Sequence, residues 1–120
     1  MTFDANDAYK RRVYTARTTT SFESWLDGLS DPIGKKRVAA RIVRIESGNF
    51  GDVRSVGGKV SELRVDTGPG YRVYFTRRGR ELILLLCGGD KSTQSTDIAT
   101  AQAMVVELEK QNKAGAKRKQ

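Results

Sequence analysis

One glutamate and three basic residues, Glu62, Arg64, Arg72 and Lys91, have the side chains needed to cleave an RNA backbone without a metal ion. Such cleavage needs a general base for the 2′-hydroxyl, cations beside the phosphorane-like transition state and a proton for the leaving 5′-oxygen. These needs suggest Glu62 as base, Arg64 and Arg72 as stabilising cations, and Lys91 as acid. From the residues alone, the better interpretation of Glu62 is a salt-bridge partner of Arg64 or Arg72.

The absence of histidine, together with a single cysteine, excludes several kinds of active site. Ser-His-Asp catalysis, Cys-His catalysis, histidine-ligated zinc and zinc-thiolate sites all need residues that this chain lacks. We therefore expect no cofactor and no metal. An oxygen-ligand metal nuclease built on Asp52, Glu62 and Asp90 is an alternative.

The net charge of +8 comes from 22 basic and 14 acidic residues and favours a polyanion or an acidic protein as partner. An ordinary solvated surface is the alternative interpretation. The longest apolar run, Leu82 to Cys87, is far shorter than the roughly 18 residues that suggest a membrane span. With no apolar N-terminal segment and no possible internal disulfide, we expect a cytoplasmic protein without a membrane partner.

Alternation of apolar and polar residues from Val60 onward predicts two strands joined by a tight turn at Pro69-Gly70. One face of these strands is apolar and would pack on helices. The other face carries charged and polar side chains, which become cross-strand neighbours. We expect this face to be open and basic, with these members: Glu62, Arg64, Arg72 and Tyr74.

The remaining segments predict one small domain of the α+β class, in the order strand, helix, helix, three-strand antiparallel meander, helix. The elements that precede the meander are a strand at residues 12–18, a short helix capped by Thr20, a helix from Asp31 to Glu46 that ends at Gly48, and glycine-rich loops at residues 48–52 and 55–58. The third meander strand, residues 81–87, is apolar on both faces and therefore interior, which makes Cys87 a packed thiol. A last helix begins at residues 95–97.

The predicted boundaries divide the chain into a flexible N-terminal extension at residues 1–10, a domain at residues 11–111, and a basic disordered tail at residues 112–120.

Arginines recur on one face of the second helix, at Arg37, Arg41 and Arg44. This stripe could follow a phosphate backbone, and we assign it to RNA binding together with Tyr74 and Arg77. A solvated helix face and a docking surface for an acidic partner are the alternatives.

The chain resembles the HigB-type killer proteins of the RelE/ParE toxin superfamily between about Val13 and Leu108. The residues that carry the resemblance are Glu62-Leu63-Arg64, Gly70-Tyr71-Arg72-Val73-Tyr74-Phe75 and Leu84 to Gln94, followed by Asp97-Ile98, with Phe22 to Leu26 and Gly48 to Asp52 before them. Their order and spacing together are more specific than any one motif.

The resemblance implies a RelE-like fold and a toxin that cuts messenger RNA on the ribosome, leaving a 2′,3′-cyclic phosphate. It also implies a cognate helix-turn-helix antitoxin. Arg72 matches the arginine of the family's Gly-Tyr-Arg motif, and some RelE-like members use a glutamate base at the position of Glu62. No tyrosine follows Tyr74 and there is no histidine, so Lys91 remains the candidate acid. A ParE-like inhibitor of DNA gyrase and a non-catalytic nucleic-acid or protein-binding module are the alternative functions.

Overall fold

The computed structural model describes residues 13–118, with side chains described as far as residue 113, and it confirms the predicted α+β class. A five-stranded sheet is accompanied by three helices and a short 3-10 turn. The strands are β1 (Thr15–Thr18), β2 (Val53–Gly57), β3 (Val60–Val65), β4 (Tyr71–Arg78) and β5 (Leu82–Asp90). The helices are α1 (Thr20–Asp27), α2 (Pro32–Glu46) and α3 (Gln94–Arg118), and the 3-10 turn is Lys91–Thr93.

The sheet has the strand order β1-β5-β4-β3-β2. The meander β3-β4-β5 is antiparallel, as predicted, and β1 pairs with β5 in parallel. Strand β5 lies between β1 and β4 in the sheet, and its side chains pack into the hydrophobic clusters on both faces, Ile83 and Leu85 on one side and Leu86 and Cys87 on the other, which confirms the interior position. Cys87 is a buried thiol in this strand, and burial raises its pKa to about 11.

Two hydrophobic clusters fill the two faces of the sheet. Helices α1 and α2 contribute Phe22, Val38 and Ile45 to the first cluster, which also holds the inward residues of β3, β4 and β5. Helix α3 contributes Ala101 and Val105 to the second, which contains Val60, Tyr74, Leu86 and Cys87. The face predicted to be open is therefore partly covered by α3. None of the helices between residues 13 and 118 is long and apolar enough to span a membrane.

The helix caps mostly follow the sequence signals. Asp31 caps α2 by accepting a hydrogen bond from the Gly34 amide, and Gly48 follows the helix with a φ of +88°, the left-handed conformation that glycine tolerates. The cap of α1 is Thr19, so the prediction of Thr20 was wrong by one residue. Thr19 has the extended backbone of a cap, and its hydroxyl accepts a hydrogen bond from the Phe22 amide.

Two further predictions differ from the structure. Residues 53–57 form the edge strand β2, whereas residues 55–58 had been assigned to a loop. The glycines belong to the β2–β3 hairpin, where Gly57 and Gly58 both have positive φ. Helix α3 continues to Arg118, past residue 112 where the basic tail was predicted to begin. The predicted extension at residues 1–10 lies outside the described residues.

Candidate nucleic-acid cleft

A cleft of about 360 Å³ opens where β3 ends, β4 begins and β5 ends. It contains three of the four residues predicted to be catalytic: Arg64, Arg72 and Lys91. Two carboxylates, Asp52 and Asp66, complete its charged lining, and the β3–β4 turn supplies the rest, Gly68, Pro69 and Gly70. The cleft is therefore strongly polar, with cations and carboxylates side by side.

Arg64 and Arg72 are direct partners in the antiparallel register of β3 and β4. Side chains so placed have Cβ atoms roughly 5 Å apart, and like charges in this position destabilise a sheet. One acidic neighbour offsets part of the repulsion: Arg64 Nε lies 3.4 Å from Asp52 Oδ2. The pairing concentrates positive charge at one point of the cleft.

Lys91 reaches the same cleft because the chain after β5 is tied to the β3–β4 turn. The Lys91 amide donates a 2.9 Å hydrogen bond to the Gly70 carbonyl. Gly70 has a φ of +84°, and a side chain there would contact both Arg72 and Lys91. Glycine therefore suits this position because of the positive φ that the tight turn requires.

Arg72 is held firmly: its side chain is 11 % exposed. Its Nη1 donates to the carbonyls of Gly70 and Tyr71, each at 3.3 Å. Nε lies 3.9 Å from Glu62 Oε1, beyond hydrogen-bond distance. Within residues 13–113, Arg72 Nε is a buried side-chain nitrogen without a hydrogen-bond partner. The guanidinium is thus oriented mainly by backbone carbonyls and by the nearby carboxylate of Glu62.

Glu62 is fully buried, and both of its carboxylate oxygens accept hydrogen bonds. Oε1 accepts from Arg54 Nε at 2.9 Å, and Oε2 accepts from the Tyr74 hydroxyl at 3.0 Å and from Gln94 Nε2 at 2.7 Å. Burial by itself raises the pKa of Glu62, but hydrogen bonds from Gln94, Arg54 and Tyr74 outweigh it, so the pKa lies below its ordinary value. Glu62 is therefore an ionised, enclosed carboxylate.

The predicted open position of Glu62 was wrong, although its face was assigned correctly. Glu62 shares the α3-facing side with Arg64, but α3 covers only one end of that side and Glu62 lies beneath the covered end. Arg54 and Gln94 were missed as its partners. Arg54 is on a strand that had been assigned to a loop, and no sequence signal placed Gln94 beside β3.

The arginine stripe of α2 borders a second cavity, of about 320 Å³, which shares Asp66 with the cleft. Arg37 and Arg44 are exposed there. Arg41 instead donates to the Arg64 carbonyl at 2.8 Å and to the Phe50 carbonyl at 3.1 Å. Arg41 therefore joins α2 to the sheet, while Arg37 and Arg44 extend the basic surface of the cleft.

Two predicted RNA-binding residues lie away from this surface. Tyr74 is fully buried under α3, and its hydroxyl bonds Glu62, so its predicted exposure was wrong. Arg77 is five residues beyond Arg72 on β4, about 16 Å along the strand. Its guanidinium lies over the Phe50 ring, 4.4 Å from the centroid, on the face of the first cluster.

The carboxylates of the alternative metal site are not brought together. Asp52 pairs with Arg64, Glu62 bonds Arg54, Tyr74 and Gln94, and Asp90 caps the 3-10 turn. In the described part of the chain, no group of three or more His, Cys, Asp or Glu side chains is placed to hold a metal ion.

Residues 24–116 match the profile of the family described as "Phage derived protein Gp49-like (DUF891)". The chain belongs to this Gp49-like family. It is a RelE/toxin-like family associated with toxin-antitoxin toxins, which supports the resemblance at the level of the superfamily and implies an antitoxin as partner. The five-stranded sheet with three helices is consistent with a RelE-like α+β fold. An uncharacterised protein of Haemophilus influenzae is 49 % identical over 92 residues, which are 77 % of this chain and 93 % of that protein.

Proposed function

We propose that this Gp49-like protein is the toxin of a type II toxin-antitoxin system, of the HigB type, and cleaves messenger RNA on the ribosome without a metal ion. The observation that carries the proposal is the grouping of Arg64, Arg72 and Lys91 in one open cleft. The three cations outnumber the two carboxylates of the cleft, Asp52 and Asp66, so positive charge is in excess there. A phosphate of the RNA backbone is attracted by that excess.

The scissile phosphate binds between Arg64 and Arg72. Arginine suits this role because its planar guanidinium donates several hydrogen bonds to phosphate oxygens. Arg72 is already held by the Gly70 and Tyr71 carbonyls, so little reorganisation accompanies binding. Arg37 and Arg44 extend the contact to the neighbouring backbone through the adjoining cavity.

Cleavage proceeds by attack of the ribose 2′-oxygen on the adjacent phosphorus. The O2′–P bond forms and the P–O5′ bond breaks, giving a 2′,3′-cyclic phosphate and a 5′-hydroxyl. Arg64 and Arg72 stabilise the additional negative charge of the transition state. Lys91 donates a proton to the leaving 5′-oxygen.

The proton of the 2′-hydroxyl goes to a carboxylate that the RNA can reach. Glu62 is enclosed and fully hydrogen-bonded, so we assign it to positioning Arg72 instead. Asp52 is already engaged by Arg64. Asp66 is exposed and borders both cavities, and we therefore assign it as the general base.

This assignment is tested by Asp66→Asn and Asp52→Asn, which remove the charge with little change of shape. Loss of a general base lowers the cleavage rate by about 10²–10⁴-fold, and we expect this for Asp66→Asn. Asp52→Asn should have a much smaller effect. Cleavage rates are measured by primer extension on programmed ribosomes. An Asp66→Asn variant that cleaves as fast as the wild type would refute the assignment.

The function itself is tested by expressing Arg72→Ala in bacteria beside a matched control, Arg17→Ala. Arg17 is exposed on β1 and lies outside the cleft. We expect the wild type and Arg17→Ala to arrest growth and fragment transcripts, and Arg72→Ala to do neither. Growth arrest with intact transcripts and inhibited DNA supercoiling would instead support a ParE-like gyrase inhibitor.

The predicted partner is a helix-turn-helix antitoxin encoded nearby. Co-expression with the neighbouring reading frame should restore growth. Arg72→Ala should still co-purify with that antitoxin, since Arg72 belongs to neither hydrophobic cluster. Failure of co-expression to relieve toxicity would count against that neighbour as the antitoxin.

A further inference from the structure

A second basic groove, here called the distal groove, lies between the turn that follows β4, the β2–β3 hairpin and the C-terminal half of α3. Its volume is about 330 Å³. The charged residues that line it are Lys59, Arg77, Arg78, Glu109 and Lys113. None of these residues contributes to the cleft described above.

The wall that carries Lys59 is fixed by specific contacts. Lys59 has a φ of +63°, a conformation that residues with a side chain rarely adopt. The Thr76 hydroxyl donates a 2.6 Å hydrogen bond to the Lys59 carbonyl and holds this turn against β4. Gln102 of α3 donates to the Val56 carbonyl at 3.1 Å and ties the hairpin to the helix. These two hydrogen bonds stabilise the strained backbone of the hairpin at Lys59 and fix this wall of the groove.

Positive charge exceeds negative charge in the distal groove. Glu109 pairs with Lys59, and that hydrogen bond, followed by the charges of Lys59, Arg78 and Lys113, lowers the pKa of Glu109. Three cations thus surround one carboxylate. Arg77 also borders the groove, although its guanidinium lies over the Phe50 ring.

Strand β4 links the distal groove to the cleft. Arg72 and Arg78 are six residues apart on this strand, so the two sites are separated by about 20 Å. Of the described residues that line the groove, four are lysine or arginine and Val105 alone has a sizeable apolar side chain, so basic residues outnumber apolar ones. A polymer with regularly spaced negative charges fits both observations.

We propose that the distal groove binds the phosphate backbone of structured RNA as a second contact, about 20 Å from the cleavage cleft. The biological role of this contact rests on the proposed function, because a ribosome-dependent nuclease needs RNA contacts beyond its substrate strand. Binding at the groove is nevertheless a separate property, and it can be measured without cleavage.

The test measures binding of a 2′-O-methyl RNA hairpin, which lacks a free 2′-hydroxyl and cannot be cleaved by this reaction. Affinity is determined by fluorescence anisotropy over a range of salt concentrations for the wild type and for Lys59→Gln/Arg78→Gln. Two lost phosphate contacts should make the slope of log affinity against log salt shallower by about 1.8. Thermal unfolding of each protein checks that the fold is retained.

The matched control is Arg17→Gln/Lys36→Gln, which removes one arginine and one lysine from exposed positions outside both sites. Its slope should remain close to that of the wild type. The proposal would be overturned if the groove variant and the wild type had equal salt slopes. It would also be overturned if the groove variant and the control variant lost RNA affinity equally. Weakened binding to poly-glutamate with unchanged binding to RNA would overturn it as well and would indicate an acidic protein partner.

The cleavage assay separates this proposal from the proposed function. A wild-type protein that cleaves no RNA on ribosomes would refute the nuclease assignment, while the salt slope would still decide whether the groove binds RNA. Conversely, the wild type could cleave a short substrate normally while the groove variant showed the same salt slope as the wild type. This result would refute RNA binding at the distal groove and leave the nuclease assignment intact.

Discussion

At Glu62 the protein buries an ionised carboxylate and supplies hydrogen bonds to it from β2, β4 and α3. Removing one member of such a group leaves the other polar atoms without partners, which is costly in a buried position. The arrangement stabilises one relative position of these elements. Because Arg72 Nε lies 3.9 Å from Glu62 Oε1, the same carboxylate also helps to orient the central arginine of the cleft.

The lowered pKa of Glu62 predicts a pH dependence of stability. Since the pKa in the folded state is below that in the unfolded chain, the stabilisation is present above the ordinary value of 4.5 and is lost as the pH falls through the folded-state pKa. We expect Glu62→Gln to show a weaker loss of unfolding free energy below about pH 4.5 than the wild type. Urea unfolding at several pH values checks this, and parallel losses in the two proteins would contradict it.

Tyr74→Phe distinguishes a core role from an RNA-binding role at this position. The substitution removes the hydroxyl that donates to Glu62 Oε2 but retains the buried ring. We expect a loss of about 1.5–3 kcal/mol in unfolding free energy, as for hydrogen bonds to charged groups. RNA affinity should be unchanged under conditions where both proteins are folded. Weaker RNA binding without loss of stability would support the original RNA-contact prediction.

At the scale of elements, local sequence signals were sufficient where one element determines its own structure. The Asp31-Pro32 start of α2, the Gly48 end and the alternation along β3 and β4 all appear in the structure. Local sequence signals did not predict how elements far apart in the sequence pack on one another. Strand β2 is an edge strand whose pairing with β3 determines its conformation, and the coverage of Glu62 depends on where α3 lies across the sheet.

The packing of α1 on β5 depends on a glycine. A Cβ atom at Gly88 would overlap the ring of Trp25, so Gly88→Ala forces the helix away from the strand. We expect a loss of about 1–3 kcal/mol, typical of overpacking in a core. Trp25 is the single tryptophan, so its intrinsic fluorescence should show a changed environment in the folded variant. Unchanged tryptophan emission and unchanged unfolding free energy would mean that the contact between Gly88 and Trp25 accommodates a methyl group without destabilising the fold.

At the scale of the whole molecule, the sheet carries a cationic site at each end of β4. The cleft with Arg64, Arg72 and Lys91 lies at one end, and the distal groove lies at the other. The net charge favoured a polyanion or an acidic protein as partner, and strand parity predicted Arg64 and Arg72 on one face. Asp52 and Asp66 line the cleft from positions just outside strands β2 and β3. Their positions depend on the assembled sheet, so the local sequence did not predict them in the cleft.

The central claim, cleavage of RNA by a metal-independent reaction in this cleft, is tested most directly by the chemistry of the product ends. Purified wild type and Arg72→Ala are incubated with programmed ribosomes, and the ends of the fragments are analysed by mass spectrometry. We predict 2′,3′-cyclic phosphate and 5′-hydroxyl ends with the wild type and uncut RNA with Arg72→Ala. Fragments with 3′-hydroxyl and 5′-phosphate ends, or equal cleavage by both proteins, would contradict the account.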